Sequence, residues 1–118
     1  EFRLYASPVR HMIPTIGLRV ESIPTGRIAA YSCDTEPCDE VVRLAEGADI
    51  LIHEATGAEM GHSSAVKAAE TARKAEVATL YLIHYPVVGF DPSVLPAQAA
   101  SEFQGSVILA QDLMEVAL

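Results

Sequence analysis

The run Asp49-Ile50-Leu51-Ile52 passes directly into His53-Glu54, and that junction constrains the chain more than any other stretch. A short apolar run of this kind reads as a buried strand. A strand with only a packing role has no reason to end in an imidazole and a carboxylate. Burying an unpaired carboxylate is costly, so Glu54 should meet a partner or reach a wet cleft. The polar stretch that follows carries Thr56, His62, Ser63 and Ser64 and stops where a helix begins. In layered α/β proteins ligands bind at the carboxyl ends of strands, and loops held on a rigid scaffold commonly carry chemistry. The plainer alternative is an ordinary polar turn leading into a capped helix.

The remaining segments repeat this strand-then-helix rhythm. Residues 8–17 hold Pro8 and Pro14 and read as extended or loop-like. Residues 17–22 alternate apolar with charged side chains, as a half-exposed strand does. The turn Ile23-Pro24-Thr25-Gly26 leads to a second strand over 27–32, giving a hairpin. Pro37 and its acidic neighbours suit a helix start; Val41, Val42, Leu44 and Ala45 form its apolar face, and Gly47 ends it. The spacing predicts a helix over 63–75, capped by Ser63 or Ser64, with Ala65, Val66, Ala69, Ala72 and Ala75 as its stripe. A strand over 79–83 ends at His84, a helix around 93–103 has Pro96 in its first turn, and a strand follows over 106–110. Residues 112–118 are expected to add an edge. The pair Glu1-Phe2, which a common restriction site encodes, is set aside from this reading. The order β-β-α-β-α-β-α-β predicts one α/β domain built on a mixed sheet.

Composition narrows the function classes. The 118 residues carry a net charge of −8, from sixteen acidic and eight basic side chains. A surface that tracks phosphates needs clustered basic residues, whereas Arg3, Arg10, Arg19 and Arg27 are spread over the first quarter, so nucleic-acid binding by this chain alone is disfavoured. The apolar runs are far shorter than the roughly 20 residues that cross a bilayer, and the first residues lack the basic-then-apolar order of a signal peptide. Cys33 and Cys38 are too few for a disulfide scaffold or a structural zinc site. They read as free thiols in a reducing cytoplasm, with a local disulfide as the lesser alternative. A Rossmann-like nucleotide binder is disfavoured because no glycine-rich loop follows any strand.

Several strand ends carry the same kind of cargo: Asp34, then His53-Glu54, then His84. His11 precedes the first strand and His62 lies at a helix start. Any one of these, alone, reads as an ordinary hydrogen-bonded residue. Side by side, they supply the imidazoles and carboxylates that suit a divalent metal and a proton donor. Tyr31, Tyr81 and Tyr85 read as strand packing. Asp112 reads equally as a turn former or as a structural partner of the site, and Met60 and Phe90 as lining a mouth or folding back onto the core.

These pieces resemble, in order, the C-terminal half of a metallo-β-lactamase-fold hydrolase of the ribonuclease Z-like branch. The matching residues are Val9-Arg10-His11 with Gly17, Tyr31 to Thr35 with Pro37-Cys38, His53 to Thr56, Gly61 to Ser64, Leu82 to His84, and Leu109 to Met114. The resemblance implies an α/β fold that is half of an αββα sandwich, with a mixed sheet and helices on one face. Residues 1–118 would be a single partial domain. The family's His-x-His-x-Asp-His motif does not occur in it. The resemblance further implies that His11, Asp34 and His84 are metal ligands and that His62, positioned by Glu54, donates a proton. His53, Thr56 and Ser63 would support them from behind.

The expected function is therefore part of a binuclear-metal hydrolase acting on phosphodiesters or related esters. The complete protein would hold two divalent metal ions, zinc foremost, and this chain alone little or none. The stretch after His84 lacks the Ser-x-Arg-Tyr of ribonuclease Z enzymes, which with the acidic charge argues against tRNA as substrate. The inner sheet face, without the other half, would be bare and apolar, so a homodimer or higher oligomer is expected to cover it. The alternative is a non-catalytic paralogue that keeps the sheet as an oligomerisation or regulatory module.

Overall fold

The computed structural model describes residues 1–118. Its six strands are β1 (Phe2–Pro8), β2 (Ile16–Ser22), β3 (Ile28–Tyr31), β4 (Ile50–Glu54), β5 (Thr79–Ile83) and β6 (Ser106–Leu109). They lie in one sheet in chain order. The first three are antiparallel neighbours, and β3 to β6 run parallel. Parallel strands need crossover connections, and α1 (Asp39–Ala45), α2 (Ala65–Lys74) and α3 (Leu95–Ala99) supply them. The expected α/β class with a mixed sheet is what the chain adopts.

One face of the sheet packs on the helices. Ala30, Leu51, Leu80 and Leu82 meet Val41, Ala45, Ala65, Ala68, Ala69 and Ala72 in one core cluster. Small residues along α2 let its backbone approach the sheet closely, and burying each of the three leucines contributes about 1.5–3 kcal/mol. The α2 stripe differs from expectation at two places: Ala68 and Thr71 are buried, while Val66 is only half-buried. Ser64, not Ser63, caps α2, accepting from Lys67 N. Gly17 is buried under α1, where a Cβ would stand 2.9 Å from Leu44 Cδ1.

Side chains alternate across a strand, so the register places Phe2, Leu4, Leu18, Val20, Ala29, Tyr31, Ile52, Tyr81 and Ile108 on the opposite, helix-free face. Phe2, Leu4 and Tyr31 are exposed there, and Leu18, Val20, Ile52, Tyr81 and Ile108 half-buried. Apolar exposure on this face is concentrated at Phe2, Leu4 and Tyr31, while Ala29 and its neighbour Ile50 are buried there.

Three expectations need correction. Phe2 belongs to the fold: it pairs with Ser22 in β1, and Glu1 O accepts from Ile23 N at 3.0 Å. Phe2–Pro8 form a strand of their own, and the loop-like reading of residues 8–17 holds between Pro8 and Ile16. Residues 112–118 add no strand, because a turn closed by Met114 N on Gln111 O turns the chain away from the β6 edge. The helix around 93–103 is shorter and broken: a 3₁₀ turn over Pro92–Val94 precedes the five-residue α3. Pro92 and Pro96 each withdraw an N–H from that segment, and Pro96 sits in the first turn of α3 as its chemistry requires.

Candidate active site

The site is assembled at the carboxyl ends of β3, β4 and β5, with the loop after β1 closing one side. Glu54, the last residue of β4, has no exposed surface. Its Oε1 accepts from Thr35 N at 3.1 Å, Ser63 N at 3.0 Å and His62 Nδ1 at 3.0 Å, and its Oε2 from Thr56 N at 2.9 Å. A buried carboxylate needs this many donors to replace its water. Glu54 thereby ties the loop after β3 to the loop after β4 and fixes the ring of His62, leaving Nε2 as its free nitrogen.

Three further hydrogen bonds complete the rim. His84 Nδ1 donates to Asp34 Oδ1 at 2.8 Å, and Thr56 Oγ1 donates to the His84 carbonyl at 2.9 Å. His11 Nδ1 donates to the Gly61 carbonyl at 2.7 Å. The His11 and His62 rings meet edge-on with centroids 5.0 Å apart, and His62 and His84 likewise at 5.8 Å. His11, Asp34, Glu54, His62 and His84 thus form one linked array. Cys33 and His84 hold left-handed backbone conformations, φ +55° and +47°, which turn the chain sharply where it leaves β3 and β5. Non-glycine residues seldom adopt this region, and it recurs at functional sites.

The supporting residues divide. Ser63 Oγ donates to the Thr35 carbonyl at 2.7 Å and Thr56 braces His84, so both touch the array. His53 points instead toward the helices: it is fully buried, its Nδ1 donates to the Glu54 carbonyl at 2.8 Å, and its Nε2 has no hydrogen-bond partner. Burial lowers the His53 pKa, opposed by its bond to the Glu54 carbonyl and by the Glu54 charge. The Tyr31 hydroxyl is pushed up, first by burial and then by Cys33 and Asp34 beside it. Tyr85 packs as expected, its hydroxyl donating to Ala110 O at 2.5 Å. Both cysteines are free. Met60 is 78% exposed and does not fold back onto the core. Asp112 lies in an exposed turn beside a shallow cavity that His84 and Tyr85 also line.

The donor set fits a divalent cation. Ligand atoms of His11, Asp34 and His62 lie within 4.8 Å of one another, as do those of Glu54, His62 and His84. On His11 the Gly61 carbonyl holds Nδ1–H, which fixes the tautomer and leaves Nε2 open to a metal, the usual arrangement behind metal-binding histidines, while on His62 the Glu54 carboxylate likewise leaves Nε2 free. Imidazole with carboxylate suits zinc among the common cations.

A family model described as a beta-lactamase superfamily domain matches residues 2–85. The chain belongs to the metallo-β-lactamase superfamily. Its relatives include ribonuclease Z proteins. The ribonuclease Z of Thermoplasma acidophilum is 43% identical over 98 residues, which are 76% of this chain and 32% of that protein. Human tRNase Z, short form, superposes with a TM-score of 0.72 at 28% identity, over 99% of this chain and 43% of that one. The metallo-β-lactamase fold protein YhfI of Bacillus subtilis shares the fold, with a TM-score of 0.83 at 24% identity over 93% of this chain and 47% of that one. The chain thus spans between a third and a half of the length of these proteins. Membership makes it ribonuclease Z-like and a member of a superfamily that binds divalent metal. No helix is long and apolar enough to cross a membrane.

Proposed function

We propose that this chain forms one wall of a binuclear-metal hydrolase site that acts on phosphodiesters or related esters. The linked array of His11, Asp34, Glu54, His62 and His84 at adjoining strand ends carries the reading. His11, Asp34 and His84 are the residues that would hold the metal, with zinc the favoured ion. Bound there, the ions would polarise the scissile group and supply an activated water. The chain's own contribution is geometric and protic. Glu54 holds Nδ1 of His62, so the proton available to a leaving oxygen is the one on Nε2, at the open side of the ring. Thr56 braces His84 through its carbonyl, Ser63 ties the His62 loop to the Thr35 carbonyl, and His53 grips the Glu54 peptide from within the core.

Three ligands are too few for two ions, and the His-x-His-x-Asp-His motif does not occur in these 118 residues. The isolated chain is therefore inactive and holds metal weakly. Its helix-free apolar face is covered by a second copy, giving a homodimer or higher oligomer in solution. The protein works in the reducing cytoplasm, where Cys33 and Cys38 stay thiols. The acidic charge and the absence of Ser-x-Arg-Tyr after His84 favour small esters over tRNA.

The test is reconstitution. The chain is co-expressed with a ribonuclease Z segment carrying the four-ligand motif, and hydrolysis of bis(p-nitrophenyl) phosphate is followed with zinc or manganese. Activity that Asp34→Ala and His62→Ala each abolish supports the reading. A reconstituted protein inert toward phosphodiesters and esters overturns it in favour of a non-catalytic module.

A further inference from the structure

The stretch from Gly61 to His62 holds a contact that the array above does not use. Gly61 N donates to Glu36 Oε1 at 2.9 Å, while the Gly61 carbonyl accepts from His11 Nδ1 at 2.7 Å. One peptide residue is thus gripped on both polar sides. Glu36 comes from the loop after β3, His11 from the loop after β1, and Gly61 from the loop after β4. Glu36 N itself donates to Arg10 O at 2.7 Å, so the Glu36 backbone fixes the residue before His11 as well. Gly61 has φ +81°, and a Cβ there would stand 2.9 Å from His11 Nδ1, so glycine is the residue that lets the ring come this close.

We propose that Glu36 is the positioning residue that sets His11 and His62, by holding the N–H of Gly61, the residue whose carbonyl binds His11 and which leads into His62. A carboxylate on the amide N–H fixes the plane of the loop backbone with a charge-assisted bond. That holds the peptide between Met60 and Gly61, and with Gly61 at φ +81° the following peptide directs the Gly61 carbonyl at His11, where it selects the Nδ1–H tautomer. His62, the next residue, inherits its approach to Glu54 from the same peptide. Removing Glu36 would free the loop backbone at Gly61 without touching His11, His62 or Glu54. The functional consequence rests on the roles proposed above for His11 and His62; the clamp itself does not.

The experiment is long-range proton–nitrogen correlation NMR of the His11 ring at about pH 8, above the ordinary imidazole range. It compares the full chain with Glu36→Ala and Glu36→Gln. The unaltered chain is expected to show His11 as the Nδ1–H tautomer and a downfield Gly61 amide. Glu36→Ala is expected to convert His11 to a mixture containing the Nε2–H form and to move the Gly61 amide upfield. Glu36→Gln, whose side-chain oxygen can still accept, is expected to restore both. Should Glu36→Ala not fold, Glu36→Asp, one methylene too short, replaces it with the same expectation. An unchanged His11 tautomer in Glu36→Ala or its substitute overturns the clamp, as does equal loss in Glu36→Gln. Neither result depends on metal or hydrolysis, so failure here leaves the hydrolase reading standing, and an inert reconstituted enzyme leaves the clamp standing.

Discussion

Glu54 Oε1 and His62 Nδ1 lie 3.0 Å apart, a carboxylate with no exposed surface gripping a ring that still reaches the cleft. The same oxygen accepts from the amides of Thr35 and Ser63, so one side chain both orients the candidate donor and closes two loops. Glu54→Ala leaves these buried donors without an acceptor, and its cost is about 3–5 kcal/mol of stability. Glu54→Gln keeps the shape and one acceptor oxygen and should cost less than Glu54→Ala. Urea denaturation of the two variants measures both losses.

His53 gives stability a pH dependence. Its pKa is lowered in the folded chain, first by burial, so the unfolded state binds the extra proton once pH falls below the ordinary imidazole value. The His53 contribution is therefore whole above about pH 6.5 and declines below it, with a slope of at most about 1.4 kcal/mol per pH unit. Denaturation midpoints of the parent and His53→Gln should converge as pH falls from neutrality toward 5. Parallel curves would show that His53 is not buried neutral.

Cys33 occupies a glycine-like conformation at φ +55°. A left-handed residue with a Cβ costs about 1–2 kcal/mol, partly offset by the entropy glycine brings to the unfolded chain. Cys33→Gly should stabilise the chain by roughly 0.5–1 kcal/mol, and β-branched Cys33→Val should destabilise it. Thermal melts under reducing conditions decide the sign.

The self-association proposed above would use the helix-free face. Leu4 is 66% exposed there, directly opposite Val20 across the β1–β2 pair. Light scattering behind size-exclusion chromatography should find an oligomer that Leu4→Lys combined with Val20→Lys reduces to a folded monomer. A parent chain that stays monomeric at high concentration contradicts this.

The sequence carried the central strands and the array clearly, because both depend on local signals. Ile50 to Ile52 and Leu80 to Leu82 are dense apolar runs, and the polar residues at their ends have no packing reason to be there. β1 was legible too, since Phe2, Leu4 and Ala6 alternate with Arg3, Tyr5 and Ser7. Setting aside Glu1-Phe2 and giving weight to Pro8 hid that alternation. The broken helix near Pro92 follows from two prolines whose missing N–H groups outweigh the apolar spacing. Glu36 and the Gly61 peptide were not legible, because their partners lie 25 and 50 residues away and backbone groups leave no mark in a sequence. The split between Thr56 and Ser63, which touch the array, and His53, which faces the core, likewise depended on which way β4 alternates.

In the proposed function, His11, Asp34 and His84 would hold the metal on this side of the cleft. Anomalous diffraction at the zinc edge, from crystals of the reconstituted protein, tests it most directly. The account predicts zinc peaks on this rim against the Asp34 carboxylate and against nitrogens of His11 and His84, with His62 coordinating none. Zinc absent from this rim, or bound without contact to Asp34, would contradict it.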